Sequence, residues 1–197
     1  MQAAFFSFFR KIIFIPELRL HELSRENRVD DIGYQKSDLN MVALPYALTY
    51  AVLPHTPYGK QAAEQAFNQH KDVILHMPME AVAQNHLLGK GALRKKMSKS
   101  EVQQALHRAL AEVPQAIGVN NHMGSLYTSL SAPMDWTMQV MAERQLYFID
   151  SKTTSRSAVP AAAARHGHGC RCVGPDRAHR QPGRRPVDGP ALAQRVA

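Results

Sequence analysis

Six side chains in this 197-residue chain combine acid/base or metal-ligand character with a telling position: Asp30, Asp31, His55, His76, His122 and Asp150. His122 closes the run AIGVNNHMGS at 116–125, where apolar residues give way to two amides, the imidazole, a glycine and a serine. Val73-Ile74-Leu75 leads into His76 and Pro78, Leu146-Tyr147-Phe148-Ile149 into Asp150 and Ser151, and Tyr50-Ala51-Val52-Leu53 into Pro54 and His55. A short apolar run bounded by polar and turn residues reads as a buried strand. Four such strands, each ending on a potential ligand or acid/base group, predict one site at one end of a parallel sheet. Asp30 and Asp31 lie in VDDIGY at 29–34. In an extended segment adjacent side chains point to opposite sides, so one carboxylate can bind a cation while the other faces a reacting water. A solvated Asp-Asp turn ahead of Gly33 is the competing reading.

Imidazole is the commonest transition-metal ligand, and two histidines plus one carboxylate leave an open coordination position on zinc or a similar divalent ion. Taken singly, His76 or His122 reads as a hydrogen-bonded structural histidine. Taken with the Asp pair, the two at strand ends make a metal site the competing reading. His70 and His107 fall in helical patterns, and His21 and His86 have no supporting context, so these read as surface residues.

Helical patterns separate the apolar runs and must position them. Residues 59–70 are rich in Ala, Gln and Glu. Ser98 and Glu101 have capping-box spacing and open a run that aligns Val102, Ala105, Leu106, Ala109, Leu110 and Val113 on one face. Pro133 sits where a first helical turn tolerates it, ahead of Trp136, Val140 and Met141. Strand followed by helix, at least three times over, implies right-handed parallel βαβ units. In such α/β folds sites form at the carboxyl ends of the strands, where His55, His76, His122 and Asp150 fall.

The length suits one domain with a proper core. The formal charge of +8 is unevenly spread: residues 1–154 hold 16 Lys/Arg against 14 Asp/Glu, and residues 155–197 hold 8 Arg against 2 Asp. A near-neutral body argues against nucleic acid as a partner; a nucleic-acid role would rest on the tail alone. Cys170 and Cys172, the only cysteines, also lie in the tail, so no disulfide framework supports the body. At the other end, residues 1–28 carry an apolar stretch from Phe5 to Ile15 that Arg10 and Lys11 split and Pro16 ends. It is too short to span a bilayer and lacks the basic start and cleavage site of a signal peptide. A degenerate export signal, an interfacial helix and a buried segment remain open for it.

In order along the chain, DDIGY at 30–34, LPHTPYG at 53–59, LHMPME at 75–80, GAL at 91–93, GVNNHMGS at 118–125 and FIDSKTT at 148–154 resemble the divergent polysaccharide deacetylase family. That family is a distant relative of the metal-dependent carbohydrate deacetylases. The resemblance covers about residues 29–154, and six motifs in order are far more specific than any one.

The resemblance implies an α/β fold, a deformed and here incomplete (β/α) barrel of parallel strands. It implies a metal-dependent hydrolase that removes acetyl groups from a polysaccharide or amino-sugar substrate in the periplasm or cell envelope, with a divalent metal, zinc, as cofactor. In the wider superfamily the first Asp of the pair is the base and the second joins two histidines on the metal. By position, Asp30 becomes the base and Asp31 a ligand with His122. The second histidine of that short motif is replaced here by Leu126, four residues beyond His122, and His76 is the candidate replacement. His55 and Asp150 are candidates to orient substrate or assist proton transfer; a turn cap and a loop anchor are their structural alternatives. A catalytically inactive glycan-binding or envelope protein is the competing function.

Two departures qualify the expectation. A buried apolar strand belongs just before the Asp pair, but Ser24-Arg25-Glu26-Asn27-Arg28 would be costly to bury unpaired, which puts the first strand in doubt. Lys152 stands where relatives carry an arginine, losing bidentate contact. After Thr154 the resemblance stops. Residues 155–197 lack Phe, Tyr, Trp, Ile, Met and Lys and are dominated by Ala, Arg, Pro and Gly, as a GC-rich gene read out of frame would be. Such a segment is expected to be disordered and to leave the sheet with an open edge.

Overall fold

The computed structural model describes residues 28–167 and 170–172; the expectations for residues 1–27 and for the rest of the tail lie outside the described residues. Six strands form one sheet in the order β1 to β6, every neighbouring pair parallel: β1 Arg28–Ile32, β2 Thr49–Val52, β3 Val73–Met79, β4 Gly118–Met123, β5 Tyr147–Asp150 and β6 Cys170–Cys172. The helices between them are α1 Asp38–Val42, α2 Gly59–Asn68, α3 Lys99–Glu112, α4 Ser131–Arg144 and α5 Val159–Arg165. Sequence order and spatial order coincide, which is what a run of successive βαβ crossovers produces. The four apolar runs are β2 to β5, and among the described residues the sheet does not close on itself.

The sheet has two different faces because strand side chains alternate. Tyr50, Val52, Leu75, Met77, Val119 and Phe148 face the helices and pack with Ala63, Leu106, Met138 and Val140 into the main core. Ala51, Ile74, Tyr147 and Ile149 form a smaller apolar cluster on the opposite face. Continuing the alternation, His76 follows Ile74 and Asn120 follows Gly118 on that second face, toward the carboxyl ends of β3 and β4. Asp150 follows Phe148 on the helix face.

Helix α3 is fixed at its start by the expected capping box: Ser98 Oγ accepts from the Glu101 amide, while Glu101 accepts from the Ser98 amide at 2.7 Å. Pro133 lies in the first turn of α4, as its missing N–H allows.

Two expectations change. The first strand is formed, starting at Arg28, although the residue is polar; its side chain is only 2% exposed and is paired with Asp30, so the burial penalty is offset by a charge-assisted fork. Ordered chain also continues past Thr154. Val159, Ala162 and Ala163 of α5 are buried in the main core, and β6 pairs with β5. Small apolar residues were enough there because α5 lies close against α4 and needs no bulky side chain to fill the gap.

Candidate metal centre

The site begins with an irregularity in β1. Val29 pairs with Tyr50 and Ile32 with Val52, so two residues of β1, Asp30 and Asp31, stand opposite the single Ala51. This is a β-bulge, and Asp31 takes a left-handed φ of 61° within it. Simple alternation predicted the two carboxylates on opposite sides. The bulge turns both toward the row formed by His76 and Asn120, as their contacts show.

Three ligand atoms converge there. Asp31 Oδ1 lies 2.8 Å from His122 Nδ1 and 3.1 Å from His76 Nε2, and the two ring nitrogens are 3.3 Å apart. The imidazoles meet edge to face, their centroids 5.0 Å apart. His76 is buried on β3, His122 is partly covered at the end of β4, and Asp31 is the most exposed of the three. The point equidistant from the three atoms is about 1.8 Å from each, a little under the 2.0–2.2 Å bond length of zinc to N and O donors, so the three would be close enough together to hold one ion. Two imidazoles and one carboxylate are a donor set suited to a zinc-like ion, and Asp31 is open to solvent. The donor set fits a divalent metal. The hydrogen bonds of His122 and then His76 hold the Asp31 carboxyl well below the ordinary carboxylate range, against a smaller opposing effect of burial. It is therefore ionised, as a ligand must be.

Asp30 sits beside this triangle in a different environment. Arg28 donates Nε–H to Oδ1 at 2.7 Å and Nη2–H to Oδ2 at 2.9 Å, and Asn120 donates Nδ2–H to Oδ1 at 3.2 Å. Burial pushes the Asp30 carboxyl up, but the Arg28 hydrogen bond, the nearby His76 and Asn120 together bring it below its ordinary value. Asn120, fully buried, also places Oδ1 2.8 Å from His76 Nδ1.

The structure thus brings Asp30, Asp31, His76 and His122 together, and it does not bring His55 or Asp150 to them. His55, with φ 57°, is exposed in the turn after β2, where its ring packs against Gly91. Asp150 is fully buried at the end of β5 on the helix face, accepting the Lys152 amide at 2.9 Å, with Lys152 Nζ 3.9 Å away. The motifs assign no role to Arg28 or Asn120. A signal existed: Arg28 stands two residues before Asp30 and Asn120 two before His122, the spacing that puts strand residues on one face.

The sequence matches the family model described as divergent polysaccharide deacetylase over residues 29–173, beyond the Thr154 limit of the motifs. It is 38% identical over 136 residues to the uncharacterized protein YibQ of Escherichia coli K12, covering 68% of this chain and 42% of that one. It is 34% identical over 140 residues to an uncharacterized protein of Haemophilus influenzae, covering 71% of this chain and 50% of that one. The chain therefore spans half or less of the length of these relatives. The crystal structure of the uncharacterized protein ATU2773 from Agrobacterium tumefaciens C58 has the same fold, with a TM-score of 0.69 at 18% identity, covering 74% of this chain and 60% of that one.

Proposed function

The chain belongs to the divergent polysaccharide deacetylase family, and from that premise we propose that it is a metal-dependent hydrolase removing N-acetyl groups from an amino-sugar polymer. The observation that supports this best is the triangle of Asp31, His76 and His122 at the carboxyl end of a parallel sheet, with an ionised carboxylate, Asp30, at its side. In this reading Asp31, His76 and His122 hold one divalent ion, zinc being the natural candidate for the donor set. When bound, such an ion supplies Lewis acidity toward water and toward the acetyl carbonyl.

Asp30 is the proton acceptor. Its Oδ1 already takes two hydrogen bonds, but Oδ2 takes only the one from Arg28 Nη2, which leaves a lone pair for the proton of an attacking water. Arg28 fixes the plane of that carboxylate and keeps it ionised. Water oxygen adds to the acetyl carbon while Asp30 takes the proton; collapse breaks the C–N bond as that proton passes from Asp30 to the nitrogen, and acetate and a protonated amine leave. The backbone around Met123 and Gly124, where φ is 56° and 92°, turns sharply just past His122 and is the candidate source of N–H donors for the developing oxyanion. In this reading His55 is the residue that orients substrate. Asp150 acts in this reading through the turn it anchors.

The family resemblance favours an extracytoplasmic glycan as substrate. No helix among the described residues is long and apolar enough to cross a membrane.

The test is acetate release from an N-acetylated amino-sugar polymer by zinc-loaded protein, beside Asp30→Asn. The expected result is turnover in the parent that drops by roughly 10²- to 10⁴-fold in the variant while metal content holds. Loss of metal in Asp30→Asn would make Asp30 a ligand, and absence of acetate release from every acetylated polymer tried would favour a glycan-binding protein without catalysis.

A further inference from the structure

We propose that the loop between β3 and α3 makes the site select a negatively charged glycan: Lys90, Arg94, Lys95, Lys96 and Lys99 hold acidic groups on the sugars that flank the one losing its acetyl group. This rests on the deacetylase reading and adds to it the charge of the substrate.

Residues 81–100 contain these five cations and no carboxylate. Residues 1–154 hold 16 Lys/Arg against 14 Asp/Glu, so without this stretch that span would be net negative. The positive charge of the body is thus concentrated in one loop. All five residues are exposed, and none forms an ion pair among the described residues. Glu80 and Glu101, the carboxylates that bound the stretch, are committed to backbone amides. Glu80 Oε2 accepts from the Lys95 amide at 2.6 Å, and Glu101 closes the capping box at Ser98.

The loop is braced, so its charges are held together. Leu93 N–H donates to Pro78 O and Glu80 N–H to Leu93 O, both at 2.8 Å, which sets Leu93 beside Met79 in parallel. Arg94, Lys95 and Lys96 therefore follow on past the carboxyl end of β3, the end of the sheet at which Asp31, His76 and His122 meet. Lys90 lies between Gly89 and Gly91, each with φ 75°, where the chain passes against the Tyr34 hydroxyl and the His55 ring. Tyr34 is three residues beyond Asp31, so the loop reaches the turn that follows a metal ligand.

Adjacent cations repel one another, and an anionic ligand relieves that repulsion. Charge of one sign beside a site also raises the local concentration of an oppositely charged substrate. A sugar polymer fits better than nucleic acid, because the cations are confined to one loop and are not spread along a face that could follow a phosphate backbone. Tyr34, Val82 and Leu87, all exposed in the turns at this end of the sheet, add apolar surface for the C–H faces of sugar rings.

The test compares two soluble polymers with one acetylated backbone: carboxymethyl chitin, which is anionic, and glycol chitin, which is uncharged. Binding is titrated on the metal-free full chain, so that neither polymer is consumed. Carboxymethyl chitin should bind about 10-fold more tightly in about 50 mM salt, and the preference should shrink toward about 500 mM as the charges are screened. A triple variant, Lys90→Gln with Lys95→Gln and Lys96→Gln, should abolish the preference. Arg108→Gln, at an exposed cation farther along α3, should leave it intact. The Arg-rich tail is common to every variant, so the difference between variants reads the loop. Equal affinity for the two polymers overturns the inference, as does a preference that survives the triple variant. Duplex DNA bound at least as tightly as carboxymethyl chitin, and lost in the same triple variant, overturns it in favour of a nucleic-acid surface. Acetate release by zinc-loaded protein decides the underlying reading separately. Release from both polymers at equal rates, unchanged in the triple variant, keeps the deacetylase and removes the anionic selection. A lysine-dependent preference without release from either polymer keeps the anionic-glycan site and removes the hydrolase.

Discussion

Arg28 spans the carboxylate of Asp30 with two parallel hydrogen bonds, Nε to Oδ1 at 2.7 Å and Nη2 to Oδ2 at 2.9 Å, across one intervening residue of β1. The guanidinium is almost wholly buried, and its Nη1 finds no acceptor among the described residues. Asp30 is thus the partner that makes the buried cation tolerable. Replacing Asp30 with Ala strands it. Breaking a buried pair from one side costs about 3–5 kcal/mol, and the partial exposure of Asp30 moves this toward about 2–3 kcal/mol. Urea unfolding of metal-free protein measures it. Asp31→Ala, which strands no buried permanent charge, should lose clearly less; equal losses would show that Arg28 has another partner.

The same pair gives the metal-free protein a characteristic acid response. Asp30 and Asp31 both titrate below the ordinary value of 3.8 in the folded chain. A carboxyl with a lowered folded value binds fewer protons folded than unfolded in that range, so its stabilisation is complete above the ordinary value and is lost as pH falls through the lower one. The thermal midpoint should hold down to about pH 4 and then drop as acid is added. The Asp30→Asn, Asp31→Asn double variant should show a shallower drop over the same interval. An equally steep drop in the double variant would place the acid sensitivity elsewhere.

Gly33 closes the turn that follows the Asp pair, with φ 132°, and a Cβ there would strike Thr56 Oγ1 and the backbone of Gly59. Its amide donates to Asp38 Oδ2 at 2.8 Å, and Gly33 O accepts from the Tyr58 amide. Gly33→Ala combines an unfavourable backbone conformation with a collision against Thr56 Oγ1 and a tight approach to the Gly59 backbone, so a loss of roughly 1–3 kcal/mol is expected. Because the turn fixes where β1 ends, zinc affinity should weaken as well. Calorimetric unfolding and zinc titration check the two parts; unchanged affinity with lowered stability would show that Asp31 is held by the bulge alone.

Much of this was legible in the sequence, and the parts that were not have physical reasons. Strands β2 to β5 announce themselves as short apolar runs, and the parallel α/β sheet follows from the helical patterns between them. Asp31, His76 and His122 fall at strand ends, so convergence could be expected from topology. The bulge could not: nothing in Val29-Asp30-Asp31-Ile32 marks a residue that will go left-handed, and only the pairing with β2 reveals that both carboxylates face one side. By sequence Arg28 is a cost to the first strand because a charge is expensive to bury alone; its partner lies two residues on. Composition also understates how far past Thr154 the fold extends. Val159, Ala162 and Ala163 bury well because α5 packs closely, and a count of large apolar residues does not register close packing by small ones.

The most direct measurement is the metal content of the purified chain after chelation and reloading with zinc, determined by elemental analysis beside His76→Ala, His122→Ala and Asp31→Ala. One ion per chain is predicted for the parent and a large fall for each variant, since all three ligand atoms lie within 3.3 Å of one another and none is replaceable by a neighbour in the triangle. Equal zinc in the parent and in the two histidine variants would contradict the site, and with it the hydrolytic mechanism built on it.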